Sequence, residues 1–212
     1  MREIARAAVE AALNAGASYA DARVVRQDHE SVQVKNGHVE GVARGEDLGI
    51  GIRVIADGAW GFAASADLTA DSVADTAREA VRIARASARA QAEPITLSDV
   101  PPVAAEWSST CKRDPFAVPL DDKISLLMDM DGLMRATRDV RVAEGQLNSF
   151  RTEKFFANSE GSDIHQTTTE CGGLLQATAV GNGEVQTRSY PSALEGYHGQ
   201  AGWEVVEYMD LD

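Results

Sequence analysis

Three turn signals constrain this chain more than any other feature: Asn36-Gly37, Asp57-Gly58 and Asn182-Gly183, each set beside stretches that alternate apolar and polar residues. A two-residue hairpin turn needs positive φ at both positions, which Asn, Asp and Gly accept at least cost. The first two signals predict four antiparallel strands in sequence order, Ser31 to Lys35, His38 to Ala43, Gly49 to Ile55 and Trp60 to Ala63. Tyr19 to Gln27 alternates in part ahead of them, and Asp28, His29 and Glu30 read as a solvated loop. In the second half, strand-like runs cover Asp139 to Ala143, Ser149 to Ala157, Asp163 to Cys171 and Leu174 to Val180, with Glu184 to Tyr190 returning after Asn182-Gly183.

Helical spacing brackets these strands. Ile4, Ala8, Ala11 and Ala12 recur at helical intervals before Gly16, a natural C-terminal cap. Val73, Ala77, Ala80, Val81 and Ala84 form the stripe of a long helix over Thr69 to Ala90, with Ser72 and Asp75 at capping-box spacing. Five of the six prolines fall between residues 91 and 122 and preclude long regular elements there. Helical periodicity resumes at Asp121 with Ile124, Leu127, Met128 and Met134, and Gly132 is its weak point. Trp203 to Met209 opens another element. The expected fold class is therefore α+β in two domains, each an antiparallel sheet with covering helices: residues 1–92, a Pro-rich linker at 93–120, and residues 121–212, the last incomplete at its C-terminus.

Charge and composition narrow the function. With 20 basic against 33 acidic residues the net charge is −13, which repels phosphate backbones and argues against direct nucleic-acid binding. A hydrophobic content of 44% argues against a disordered chain, and no apolar run approaches the roughly 20 residues that span a bilayer, so no membrane partner is expected. Arg2, Glu3, Arg6 and Glu10 leave no room for a signal peptide at the N-terminus, and a cytoplasmic location follows. Cys111 and Cys171 stand far apart without ligand spacing and read as two reduced thiols.

Chemistry is sparse. His29, His38, His165 and His198 form no ligand pair at helical spacing; His165 and Cys171, six apart on a strand, make at best a partial metal site. Asp121, Asp122, Asp129 and Asp131 lack the EF-hand pattern and suit a helix N-terminus. The glycines from Gly45 to Gly61 precede no Gly-Lys-Ser/Thr, and no Gly-x-Ser-x-Gly occurs, although a triad assembled from distant residues stays open. Trp60-Gly61-Phe62 either packs into the core or offers aromatic surface to a partner.

The runs Ala15 to Arg23, Val34 to Val39 and Gly49 to Ala63, followed by Leu68-Thr69 and an alanine-rich helix, resemble the TldD/PmbA family, whose members also carry the label modulator of DNA gyrase. Asp114-Pro-Phe116, Pro119-Leu120 and Asn158-Ser-Glu-Gly161 extend the likeness more loosely. The resemblance implies a cytoplasmic zinc metallopeptidase working as paired subunits, homo- or hetero-oligomeric, on unfolded or extended peptides. The family's His-Glu-x-x-x-His motif, which supplies two zinc ligands and the Glu that activates water, occurs nowhere in this chain. No catalytic or metal residue is carried over, no cofactor is expected in this chain, and zinc is expected in a missing C-terminal half. Truncation or a catalytically silent relative both fit, and the abrupt ending favours truncation.

The expected function is that of a non-catalytic half that helps form a peptide-binding chamber and subunit interface; the alternative is a stand-alone protein or peptide interaction module. Sheet walls bind extended chains by strand addition. The candidate contact residues are accordingly Gly49, Ile50, Gly51, Ile52 and Arg53 for edge pairing or subunit contact, and Asn158, Ser159, Glu160 and Gly161 for lining the cleft.

Overall fold

Four strands dominate the computed structural model, which describes residues 1–191 and 196–211. These are β1 (Tyr19–Lys35), β2 (His38–Ala56), β5 (Val140–Asn158) and β6 (Asp163–Gly181), each 17 to 19 residues long. Shorter strands β3 (Ala59–Ser65), β4 (Ala104–Ser108), β7 (Glu184–Tyr190) and β8 (Tyr197–Gly199) join them, with helices α1 (Arg2–Asn14), α2 (Ala70–Ala88), α3 (Leu120–Ala136) and α4 (Glu204–Tyr208). The strand order is β3-β2-β1-β5-β6-β4, with β7 and β8 also paired to β6. The predicted turns hold: Asn36, Asp57 and Asn182 have φ of 47°, 50° and 50°, and the glycine after each lies near 80°. The mixed α+β class is as expected, and its strands join in one eight-stranded sheet.

Fewer, longer strands replace the expected set. Residues Asp28-His29-Glu30 continue β1, residues 44–48 continue β2, and β5 and β6 each fuse two expected runs. Close backbone approach explains the glycines inside β6. A Cβ on Gly172 would stand 2.0 Å from the Tyr197 carbonyl oxygen, and one on Gly173 2.3 Å from that of Gln146. The Pro-rich segment holds one short strand, β4, and a single 3-10 turn at Pro115–Ala117. The N-cap of α2 is Thr69 without a side-chain bond, so Ser72 caps nothing; its Oγ lies 3.1 Å from that of Ser65.

The chain gathers into two units that interleave in sequence: residues 1–27, 47–107 and 152–167 in one, and 28–46, 108–151 and 168–212 in the other. The division falls inside β1, β2, β5 and β6. In the first unit, Ala5, Ala8, Val9 and Ala12 of α1 and Val73, Ala77, Ala80, Val81 and Ala84 of α2 pack on Ala20, Ala22 and Val24 of β1 and Ile50, Ile52 and Val54 of β2. Small side chains let backbones approach closely: a Cβ on Gly61 would lie 2.1 Å from the Ala80 carbonyl oxygen.

In the second unit, Val32 and Val34 meet Leu127 and Met130 of α3, Leu147, Cys171, Trp203 and Val206. Lys123 of α3 is buried there, donating to Glu30 of β1 and to the Pro115 carbonyl oxygen at 2.6 Å, with its ammonium 5.5 Å from the Trp203 ring centre. Glu30 is thus a buried ion-pair partner rather than a loop residue.

Candidate functional site

Side chains alternate across a strand, and in the first unit the helices cover only one face of the sheet. Ala20, Ala22 and Val24 face that core, so Tyr19, Asp21 and Arg23 face the other way; likewise Ile50, Ile52 and Val54 are core residues, and Gly49, Gly51 and Arg53 alternate with them. On β3, Gly61 lies under α2 and Trp60 and Phe62 occupy the opposite face, where Phe62 is 57% exposed.

Asp21 is the hub of this open face. Its side chain is fully withdrawn from solvent, and one carboxylate oxygen accepts from Arg23 Nη1 at 2.5 Å while the other accepts from Arg53 Nε at 2.8 Å and Nη2 at 2.7 Å. Each guanidinium also rests on an aromatic ring: Arg23 lies 5.0 Å from the Phe156 centroid, and Arg53 lies 4.6 Å from that of Trp60. Trp60 meets Tyr19 edge to face at 5.9 Å. Burial, and then the charge of Asp21, push the Tyr19 hydroxyl above its ordinary value, and a hydrogen bond with Asn158 works in the opposite direction. For Arg53, desolvation pulls the guanidinium down, but the hydrogen bond and charge of Asp21 outweigh it and the net shift is upward.

Tyr19 thus feels both predicted contact segments, through Arg53 of one and Asn158 of the other. Asn158 ends β5, and its Oδ1 accepts from the backbone of Glu160 at 3.2 Å and Ser162 at 2.7 Å, shaping a tight turn with Gly161 at φ 94°. Ser159 fastens the turn to β1, since its N–H donates to the Ala20 carbonyl at 2.8 Å and its Oγ accepts from the Ala20 N–H at 3.1 Å. Ser159 and Glu160 line a cavity of about 440 Å³ together with Tyr19 and Ile55. Ser159 and Gly161 also line one of about 340 Å³ beside Arg6 and Asp163.

Gly49, Ile50 and Gly51 line a larger groove, about 560 Å³, with Arg23, Gln27, Asp47 and Phe62. The Phe62 ring lies over Gly51, where a Cβ would meet it at 3.1 Å. Two corrections follow for these residues. β2 is an interior strand flanked by β3 and β1, so Gly49 to Ile55 offers no free edge for strand addition. Ile50 and Ile52 send their side chains into the core, leaving Gly49, Gly51 and Arg53 for the open face.

Tyr19, Asp21 and Arg23 were missed by sequence reasoning, whereas Phe62 lies in the aromatic run Trp60-Gly61-Phe62 that the sequence singled out. The signal was available in β1, where Tyr19, Asp21 and Arg23 alternate with Ala20, Ala22 and Val24.

The other residues singled out in the sequence lie in structural settings. His165 stacks flat on Phe155 at 4.2 Å, with its Nε2 3.5 Å from Glu153. Burial pushes the Cys171 thiol up beside Ser149 and raises that of Cys111 together with Asp114, so neither is an activated nucleophile. Among the described residues no three His, Cys, Asp or Glu side chains converge to hold a metal ion, so these donors do not fit a zinc site.

Residues 20–84 match the family profile described as PmbA/TldA metallopeptidase domain 1, and residues 113–212 match the PmbA/TldA metallopeptidase central domain. The metalloprotease MJ0996 of Methanocaldococcus jannaschii is 24% identical over 178 residues, covering 84% of this chain and 39% of that protein. Among solved structures, a protein of Bacteroides thetaiotaomicron designated a modulator of DNA gyrase superposes with a TM-score of 0.76 at 14% identity, over 98% of this chain and 48% of the other. TldE of Thermococcus kodakarensis gives 0.67 at 15% identity, over 88% of this chain and 42% of the other. At such identities the structures testify to the fold, and the chain spans less than half the length of these relatives.

Proposed function

The chain belongs to the PmbA/TldD metallopeptidase family, and we propose that it acts as a non-catalytic, peptide-holding part of such an enzyme, on the open sheet face of its first unit. The parent activity in this reading is hydrolysis of unfolded or extended peptides in the cytoplasm. Zinc is held by residues outside this chain, and a family subunit, identical or related, is the partner.

The observation that carries the reading is the groove over Gly49 and Gly51, roofed on one side by the exposed Phe62 ring. Gly51, having no side chain, lets the Phe62 ring lie along the groove, and such an aromatic wall takes apolar side chains with little demand on their identity. That combination suits an extended peptide of variable sequence. The free thiols of Cys111 and Cys171 support a reducing location.

The test is fluorescence anisotropy of a short, labelled, unstructured peptide of alternating Ser and Val titrated with the 212-residue chain. Binding is expected, and Phe62→Ala should weaken it about tenfold, the effect of removing one aromatic anchor. Absence of binding, or binding indifferent to Phe62→Ala, overturns the reading.

A further inference from the structure

We propose that Arg23 and Arg53 form a carboxylate-binding site, organised by the buried Asp21, which receives a carboxylate of the peptide held in the adjoining groove. The inference rests on the peptide-holding reading above for its ligand, and on the arginine cluster for its chemistry. Two guanidiniums against one carboxylate leave one excess positive charge around Asp21 on a chain whose net charge is −13. Asp21 occupies one nitrogen of Arg23 and two of Arg53. A guanidinium carries five N–H donors, so both side chains keep N–H groups beyond those given to Asp21. Their exposures, 41% and 43%, show that both are reachable from solvent.

Position and rigidity favour a ligand over a purely structural cluster. Arg23 is itself a wall of the groove that Gly49, Gly51 and Phe62 line. Each arginine is held twice, by Asp21 beneath and by Phe156 or Trp60 at its flat face, so little freedom remains to be lost when a ligand docks. The planar fork of a guanidinium matches the two oxygens of a carboxylate. Asp47, lining the same groove, offsets most of that excess positive charge and would repel a second ligand charge, so a monoanion suits the site better than a phosphate dianion. The carboxylate comes either from the C-terminus of the peptide or from an Asp or Glu side chain within it.

The experiment uses the 212-residue chain and four labelled peptides of one sequence: C-terminal acid, C-terminal amide, and amides bearing an internal Glu or an internal Gln. The acid or the Glu peptide should bind about tenfold more tightly than its uncharged counterpart, and which one does so identifies the source. Arg23→Gln and Arg53→Gln should shrink that ratio toward one; Arg53→Lys, which keeps the charge but loses the fork, should retain part of it. Circular dichroism establishes that each variant is folded. Equal binding by charged and uncharged peptides overturns this inference and leaves the peptide-holding reading intact.

If no peptide binds, that reading fails, and the site is tested alone by titrating N-acetylglycine against N-acetylglycinamide while following tryptophan emission. A change seen with the acid alone, and abolished in both Trp60→Phe and Arg53→Gln, sustains the site; no change overturns it. Displacement by inorganic phosphate at lower concentration than by N-acetylglycine overturns the choice of carboxylate.

Discussion

Glu204, at the start of α4, shows what a single carboxylate does when it accepts backbone donors. Desolvation pushes its carboxyl up, but hydrogen bonds from the backbone N–H groups of Lys112, Glu204 itself, Gly202 and Arg113 outweigh it and lower the pKa to about 2. An unfolded chain takes up that proton near the ordinary glutamate value of about 4.3. The folded value is the lower one, so the stabilisation is complete above about pH 4.3 and is lost as the pH falls toward about 2. Glu204→Gln should therefore lower the urea midpoint at neutral pH, with the gap to the parent protein closing over that acid range. A gap that stays constant down to about pH 2 would contradict the assignment. Asp21 and Arg53 lie further from what a sequence discloses. The alternation along β1 tells which residues leave the core, but not that Arg23 and Arg53 converge on Asp21 and make it a buried hub instead of a solvated charge.

Among the elements, α2 and β3 pack together at Gly61, where a Cβ would lie 2.1 Å from the Ala80 carbonyl oxygen and 2.6 Å from the Ala84 nitrogen. Both neighbours are backbone, so Gly61→Ala should cost about 1–3 kcal/mol, the range for overpacking, read as a lower melting temperature. Gly132, within α3, is the counter-case. Nothing lies within 4 Å of a Cβ there, and Gly132→Ala should stabilise by about 1 kcal/mol through helix propensity alone. A stabilising Gly61→Ala or a destabilising Gly132→Ala would refute the packing described. The hairpin turns and the helices α1, α2 and α3 were legible because turn chemistry and helical periodicity are local. The full length of β1, β2, β5 and β6 was not, since charged runs such as Arg44 to Asp47 and paired glycines such as Gly172-Gly173 imitate loops until their neighbours are known. β4 escaped notice within its Pro-rich surroundings for the same reason.

For the molecule as a whole, the dominant long-range property is a net charge of −13. Some structural relatives are designated modulators of DNA gyrase, yet a net charge of this sign argues against electrostatic attraction to a phosphate backbone. A labelled DNA duplex should show no mobility shift with this chain at physiological salt, and a shift that weakens as salt rises would overturn that expectation. The family profiles divide the chain as 20–84 and 113–212, close to the division at the prolines, whereas its packing draws each unit from three separate stretches. A protein assembled in that way cannot be dissected by scissors. A single cut between residues 47 and 151 leaves residues 28–46 of the second unit on one piece and residues 152–167 of the first on the other, so deletion mapping there would report damage to the fold before it reported anything about a function.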